Sequence, residues 1–192
     1  MTRARHLPSV RLRAARCCPA RQHVRISPIS TAMTSPIRLI WLHEADTAAF
    51  AQRLAAQPAL RQLYIALHGD LGAGKTTLVR HLLRALGVTG RIKSPTYAVL
   101  EPHETPDGLA VSHFDFYRFN DPREWADAGF RDVFAAPGLK LAEWPEKAAT
   151  VLPMPDLALQ LSVSPGDDST RIVELSAHTA AGQQLLTEVL AT

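Results

Sequence analysis

The chain has 192 residues, of which 46% are apolar, and it carries a formal net charge of +3 with a pI near 9.1. This length and apolar content suit one domain with a sizeable core, and no apolar run is long enough to span a bilayer. The positive charge belongs to the first 32 residues, which hold seven arginines and neither Asp nor Glu, whereas the remainder holds 14 basic and 18 acidic residues. Both cysteines, Cys17 and Cys18, also lie in that segment, so the remainder needs neither disulfides nor a thiolate metal site.

Residues 1–32 allow three interpretations. An Arg-rich segment without acidic residues is typical of an organellar transit peptide and also of a nucleic-acid-binding arm. We favour the third, in which translation starts at Met33 and residues 1–32 are a disordered extension or a mis-assigned start. A secretory signal is not indicated, because no continuous apolar segment follows the arginines. We therefore expect one domain over residues 33–192.

The first half of this domain alternates strand and helix patterns. Residues 37–42 have the composition of a strand, and residues 44–57 have apolar residues at helical spacing. A buried strand is predicted over 63–68, and an amphipathic helix over 75–87. Strands over 96–104 and 109–117 are joined by "TPDG", whose turn chemistry predicts a hairpin.

The second half continues the alternation. A short helix is predicted over 120–129, because Asp121, Pro122 and Glu124 are suited to its first turn. The remaining predicted elements are strands and one terminal helix, at 139–144, 156–163, 170–176 and 180–191. Alternating strands and helices indicate an α/β fold with three layers, namely a mixed, mostly parallel central sheet and flanking helices. Together with the glycine-rich segment at 69–76, "GDLGAGKT", this predicts a P-loop NTPase-like domain.

One glycine-rich stretch, "HGDLGAGKTT" at 68–77, lies between a predicted strand and a predicted helix. Its residues 69–76 fit the whole P-loop pattern G-x-x-x-x-G-K-[ST], in the expected context. Glycine lets backbone N–H groups approach an oxyanion closely, and the following helix directs its positive end at phosphates. Lys75 would reach the β- and γ-phosphates, and the Thr76 hydroxyl is placed to bind Mg²⁺.

Several residues near predicted strand ends are candidates for the rest of the site. Asp115, in "HFDFYR", is either a Walker-B-like acid or a solvated strand-end residue. Glu143, in "LAEWPEK", could hold Mg²⁺ directly or through water, orient the attacking water, or be a capping or surface residue. Trp144 belongs either to the core or to the pocket wall. Thr96, in "KSPTY", lies either in a phosphate-sensing loop or in an ordinary Ser-Pro turn.

The nucleotide base is predicted to be adenine. The N-K-x-D motif that reads guanine in GTPases is missing, since the single asparagine, Asn120, is followed by Asp121. A small-molecule kinase is a second possibility, although only Arg118 and Arg123 are placed to form the arginine lid of such enzymes. A nucleotide-binding scaffold without turnover is a third, which the intact P-loop and acidic residues disfavour.

Five motifs together resemble the TsaE family, formerly YjeE, over roughly residues 38–190: "GDLGAGKTTLVR", "KSPTY", "HFDFYR", "DPREWADAG" and "EWPEK". The resemblance implies a slow ATPase that requires Mg²⁺ and is needed for N6-threonylcarbamoyladenosine formation in tRNA. It implies action with TsaD and TsaB, where TsaD modifies adenosine 37 of tRNAs that read codons beginning with A. ATP would reset that complex, tRNA would be contacted mainly through the partners, and the protein would be cytoplasmic without membrane association.

The same resemblance implies roles for individual residues. Lys75, Asp115 and Glu143 would serve catalysis, and Thr76 and Glu143 would serve Mg²⁺. Thr96 would lie in a switch-like loop. The implied nucleotide-binding residues are Asp70, Leu71, Gly72, Ala73, Gly74, Lys75, Thr76, Thr77, Thr96, Glu44, Thr47 and Trp144. Residues 1–32 have no counterpart in the family pattern.

Overall fold

The computed structural model describes residues 35–119, 125 and 128–191. Strands within these residues are β1 (Ile37–Trp41), β2 (Tyr64–His68), β3 (Leu100–Glu104), β4 (Ala110–Asp115), β5 (Leu139–Glu143), β6 (Leu157–Ser164) and β7 (Asp167–Ala177). The α-helices are α1 (Glu44–Ala55), α2 (Lys75–Ala85), α3 (Phe130–Ala135) and α4 (Ala180–Leu190). Two 3₁₀ helices cover Pro58–Gln62 and Pro145–Ala148.

All seven strands form one mixed sheet in the order β1-β7-β6-β2-β5-β4-β3. The three central pairs, β6 with β2, β2 with β5 and β5 with β4, are parallel. The outer pairs are antiparallel, because the β3–β4 and β6–β7 hairpins extend the sheet on both sides and β1 pairs with β7. The expected mixed sheet with flanking helices is confirmed, with parallel pairing confined to its centre.

Two apolar clusters cover the two faces of the sheet, which gives three layers. On one face, α1, α2 and α4 pack against the larger cluster, to which α2 contributes Leu78, Val79, Leu82 and Leu83. Aromatic residues dominate the other face, where Phe114, Phe116 and Phe130 pack together. Strands β2 and β5 lie between both clusters, so nearly all of their side chains are buried, as is typical of central parallel strands.

The parallel pairing fixes where a ligand would bind. Strands β2, β4 and β5 all end at the same edge of the sheet, and Asp115 lies beside Glu143 in the register of β4 and β5. The segment that follows β2 is the glycine loop, which leads directly into α2. Ligands of open α/β sheets bind at this carboxyl edge. The topology therefore brings the loop and both carboxylates to one place.

Most predicted elements are confirmed, with ends that shift by one to three residues. The predicted strand 96–104 was too long, because it begins only at Leu100. Residues 96–99 form a turn in which the Val99 N–H donates to the Pro95 carbonyl at 2.6 Å, and Val99 has a φ of +64° that no strand residue adopts.

The predicted helix 120–129 lies largely outside the described residues, as do residues 1–32, so both expectations stay predictions. Helix α3 and the two 3₁₀ helices were not predicted. Within the part of the chain that the structure describes, no helix is both long and apolar enough to cross a membrane.

Candidate nucleotide site

The loop 69–76 connects β2 to α2 through a backbone that only glycine adopts readily. Gly69 has a φ of +132°, and Gly74, the N-cap of α2, has a φ of +107°. The Lys75 ammonium donates to the carbonyl oxygens of Gly69 at 2.5 Å and Asp70 at 2.9 Å. The Lys75 side chain therefore folds back over the loop and stabilises its curved backbone through these two hydrogen bonds.

Gly69 also has no room for a side chain, which leads to a stability prediction. A Cβ at Gly69 would lie 2.2 Å from the Leu161 carbonyl oxygen, whereas at Gly72, with a φ of +81°, it would meet nothing within 4 Å. We expect Gly69→Ala to lower the free energy of unfolding by about 3 kcal/mol or more, from combined backbone strain and overlap. The Gly72→Ala control should lose about 1–2 kcal/mol. Urea unfolding measures both, and equal losses would contradict the close approach at Gly69.

Lys75 is buried at the N-terminus of α2, with only 4% of its surface exposed. Its ammonium lies 3.9 Å from the centroid of the Trp144 ring, a distance suited to cation–π attraction. Burial lowers the pKa of Lys75 below its usual value, and nearby carboxylates, first that of Glu143, partly oppose this shift. The Lys75 ammonium is therefore a buried cation in contact with the loop backbone.

The side chains of Thr76 and Glu143 meet directly. The Thr76 hydroxyl donates to Glu143 Oε2 at 2.8 Å, and Glu143 Oε1 lies 2.9 Å from Nε2 of His113. Glu143 and His113 are 2% and 0% exposed, so this carboxylate is held by two hydrogen bonds in a dry environment. Charge-assisted hydrogen bonds of this kind are short and directional.

Asp115 holds a different part of the site. Its Oδ2 accepts hydrogen bonds from the hydroxyls of Ser94 and Thr96, the latter at 2.7 Å. Its Oδ1 accepts from the Tyr117 backbone N–H at 3.0 Å. The carboxylate is 3% exposed. Asp115 thus ties the segment that carries Thr96 to the end of β4.

These groups surround a cavity of about 350 Å³. The glycine loop, the Lys75 cation and the carboxylates of Asp115 and Glu143 line it, which is the chemistry that a phosphate chain with a divalent cation requires. The residues that line this phosphate cavity are Leu71, Gly72, Gly74, Lys75, Thr76, Thr77, Ser94, Thr96, Asp115, Tyr117, Glu143 and Trp144.

A second, smaller cavity of about 100 Å³ shares Gly74 and Thr77 with the first. Its other lining residues are Trp41, His43, Glu44, Thr47, Ala73, Leu161, Ser169 and Arg171. The Arg171 guanidinium donates to the carbonyl of Ala73 at 3.1 Å, so it also supports the loop from β7. The two cavities are therefore neighbours at the N-terminus of α2, where Gly74 and Thr77 line both.

The predicted site residues divide between these cavities. Most line the phosphate cavity, whereas Glu44, Thr47 and Ala73 line the smaller one, and Asp70 lines neither and contributes its carbonyl to Lys75. Sequence reasoning missed residues in both cavities and beside them: Ser94, His113, Tyr117 and Arg171. Ser94, His113 and Tyr117 lie within the motifs "KSPTY" and "HFDFYR", but the contact of Arg171 spans 98 residues and leaves no local signal.

The residues at the phosphate cavity suit Mg²⁺. The cation prefers hard oxygen ligands and usually binds through one or two protein groups plus substrate phosphates. The Thr76 hydroxyl and the Glu143 carboxylate supply such oxygens side by side. Among the described residues, no group of three or more His, Cys, Asp or Glu side chains is arranged to hold a metal ion by itself.

Comparisons with known proteins agree on one family. The profile of the family described as "Threonylcarbamoyl adenosine biosynthesis protein TsaE" matches residues 42–173. A Haemophilus influenzae relative named tRNA threonylcarbamoyladenosine biosynthesis protein TsaE is 38% identical over 137 residues, which cover 71% of this chain and 84% of the relative. A Bacillus subtilis protein of the same name is 35% identical over 121 residues, 62% of this chain and 71% of that protein.

A solved structure agrees with the sequence comparisons. The crystal structure of Bacillus YdiB superposes with a TM-score of 0.64 at 26% identity, over 82% of this chain and 97% of YdiB. The family match covers the loop, both carboxylates and all strands except β1 and the C-terminal end of β7. From its sequence and its fold, this chain belongs to the TsaE family.

Proposed function

We propose that this chain binds ATP with Mg²⁺ and hydrolyses it in support of N6-threonylcarbamoyladenosine formation at adenosine 37 of tRNAs that read codons beginning with A. In this proposal it acts with TsaD and TsaB and does not perform the transfer itself. Relatives named for this biosynthesis support the pathway. The tRNA would be contacted mainly through the partners, because residues 33–192 hold 14 basic and 18 acidic residues and so carry a net negative charge.

One observation supports nucleotide hydrolysis most strongly. The 2.8 Å contact between Thr76 and Glu143 places a hydroxyl and a carboxylate directly after the phosphate-binding loop, next to a buried lysine. When bound there, Mg²⁺ would offset the charge of the β- and γ-phosphates. Lys75 would exchange its two carbonyl partners for phosphate oxygens, and Glu143 would hold the cation or orient the attacking water.

The smaller cavity indicates where the nucleoside would bind. It is lined by Glu44 and Thr47 and shares Gly74 and Thr77 with the phosphate cavity. A nucleoside whose phosphates are bound at the loop would need such a neighbouring space. Adenine is proposed because the guanine-reading motif is missing from the sequence. Arg171 would keep the loop in place from this side.

Reconstitution tests this function. We expect purified TsaD and TsaB, supplied with tRNA and an activated threonylcarbamoyl donor, to modify tRNA over many turnovers only when this chain and ATP are both present. A non-hydrolysable ATP analogue should stop the reaction after about one turnover. Equal modification without this chain would contradict the proposal. Transfer of the γ-phosphate to a nucleoside or sugar, instead of phosphate release, would indicate a kinase.

A further inference from the structure

His113 is a buried polar residue that has no role in the proposed function. It lies on β4, is 0% exposed, and its Nε2 is 2.9 Å from Glu143 Oε1. Its other ring nitrogen, Nδ1, is buried and has no hydrogen-bond partner among the described residues. A buried polar group with half its capacity unused is costly compared with an apolar side chain of similar volume. Packing alone therefore does not explain a histidine at this position.

The strand register explains why the ring reaches Glu143. His113 and Asp115 are two residues apart on β4 and point to the same face of the sheet. In the parallel pairing, His113 lies beside Leu141 and Asp115 beside Glu143. His113 thus lies on the strand next to that of Glu143, two residues before the end of β4. Its imidazole contacts the Glu143 carboxylate from within the core.

The hydrogen bonds divide the two carboxylate oxygens between two partners. Thr76 contacts Oε2, and His113 contacts Oε1. A single contact would leave the carboxylate free to rotate about its terminal bond, because that torsion is broad. Contacts at both oxygens fix its position and its plane. An ionised carboxylate accepts hydrogen bonds only, so the positioning role requires the His113 tautomer with its proton on Nε2.

We infer that His113 is the positioning residue for Glu143, holding its carboxylate beside the Thr76 hydroxyl, where the two groups would bind Mg²⁺. This inference rests on the proposed metal role of Glu143. Hydrogen-bonding partners behind a metal ligand typically change metal affinity by about 10–100-fold when they are removed. The effect of His113 should therefore be on the Mg²⁺ requirement of nucleotide binding, and not on nucleotide affinity without Mg²⁺.

Two amide substitutions separate hydrogen bonding from packing. The nitrogen of Gln matches the position of the imidazole Nε2, whereas that of Asn matches Nδ1 and falls short of Glu143. We expect His113→Asn to raise the Mg²⁺ concentration for half-maximal tightening of a fluorescent ADP by about tenfold or more. His113→Gln should restore most of this loss. Neither variant should change ADP affinity measured in EDTA.

His103 offers a matched control for these variants. It pairs with Val111 in the adjacent strand, so it lies on the same face as His113, and its buried Nε2 also has no partner among the described residues. It forms no hydrogen bond with Glu143, whose two oxygens contact Thr76 and His113. It does lie near His113, because burial and then the charge of His113 lower the pKa of His103. We expect His103→Asn and His103→Gln to leave the Mg²⁺ requirement unchanged.

A measurement on the wild-type protein completes the test if a variant does not fold. Nitrogen-15 NMR of the histidine side chains, without nucleotide, should show His113 with a proton on Nε2. An unprotonated Nε2, or equal Mg²⁺ requirements for the Gln and Asn variants, would overturn the positioning role. If Mg²⁺ does not change the nucleotide affinity of the wild-type protein, the proposed metal site is wrong. The positioning role of His113 would then be wrong as well.

Discussion

Lys75→Ala is expected to weaken ATP binding by roughly 2–4 kcal/mol, the scale for losing a charged partner in a buried site. This corresponds to an increase in Kd of about 30-fold to 1,000-fold. In the structure the ammonium already donates to two loop carbonyls and faces the Trp144 ring. When Lys75 binds phosphate it loses these partners, which offsets part of the free energy of the phosphate contact. We therefore expect the loss of binding free energy to fall in the lower half of this range. Isothermal calorimetry measures it.

Lys140 is a matched control for Lys75. It is also buried, donates to the carbonyl oxygens of Ala136 and Gly138, and has a pKa lowered by burial. It lies at the start of β5, opposite the end that carries Glu143, and lines neither cavity of the site. Lys140→Ala should destabilise the fold and leave the Kd for ATP unchanged. An unchanged Kd in Lys75→Ala would refute the phosphate contact.

Glu143→Gln is expected to reduce ATP hydrolysis at least 100-fold, because it removes the charge that holds the cation or directs the attacking water. The amide keeps the size of the side chain, so nucleotide affinity without Mg²⁺ should stay within about threefold of wild type. An interaction made mainly in the transition state lowers turnover more than binding. Single-turnover phosphate release with the partner proteins present measures the effect.

Glu146 is the control for charge near the loop. It is half-exposed, pairs with His68 at 3.1 Å, and does not line the phosphate cavity. Glu146→Gln removes one negative charge three residues away from Glu143 and should leave hydrolysis within about twofold of wild type, because exposed ion pairs contribute little. Normal hydrolysis in Glu143→Gln would show that its assigned role is wrong.

The sequence predicted those parts of the site that depend on local spacing. The loop was recognisable because its glycines, Lys75 and Thr76 are adjacent in the chain, and both carboxylates followed from their positions at strand ends. The strand predicted over 96–104 began four residues too early, because the turn that holds Thr96 depends on its hydrogen bond to Asp115, which is 19 residues away. No local propensity encodes such a contact.

Longer-range features could not be predicted from pattern. The contacts of His113 with Glu143 and of Arg171 with the loop join residues 30 and 98 positions apart. They exist only because the strand order places β4 beside β5 and brings β7 close to the loop. Helix α3 was missed because its six residues are too short to show a periodicity. The strand order itself follows from how the hairpins extend the sheet, which alternation does not specify.

The central proposal is that nucleotide turnover at this loop supports tRNA modification. The most direct measurement is the threonylcarbamoyladenosine content of tRNA in cells whose own TsaE has been replaced by this chain. We expect the wild-type chain to restore the modification, and Lys75→Ala and Glu143→Gln, present at equal levels, to leave it near the level of cells without TsaE. Full restoration by either variant would contradict the account.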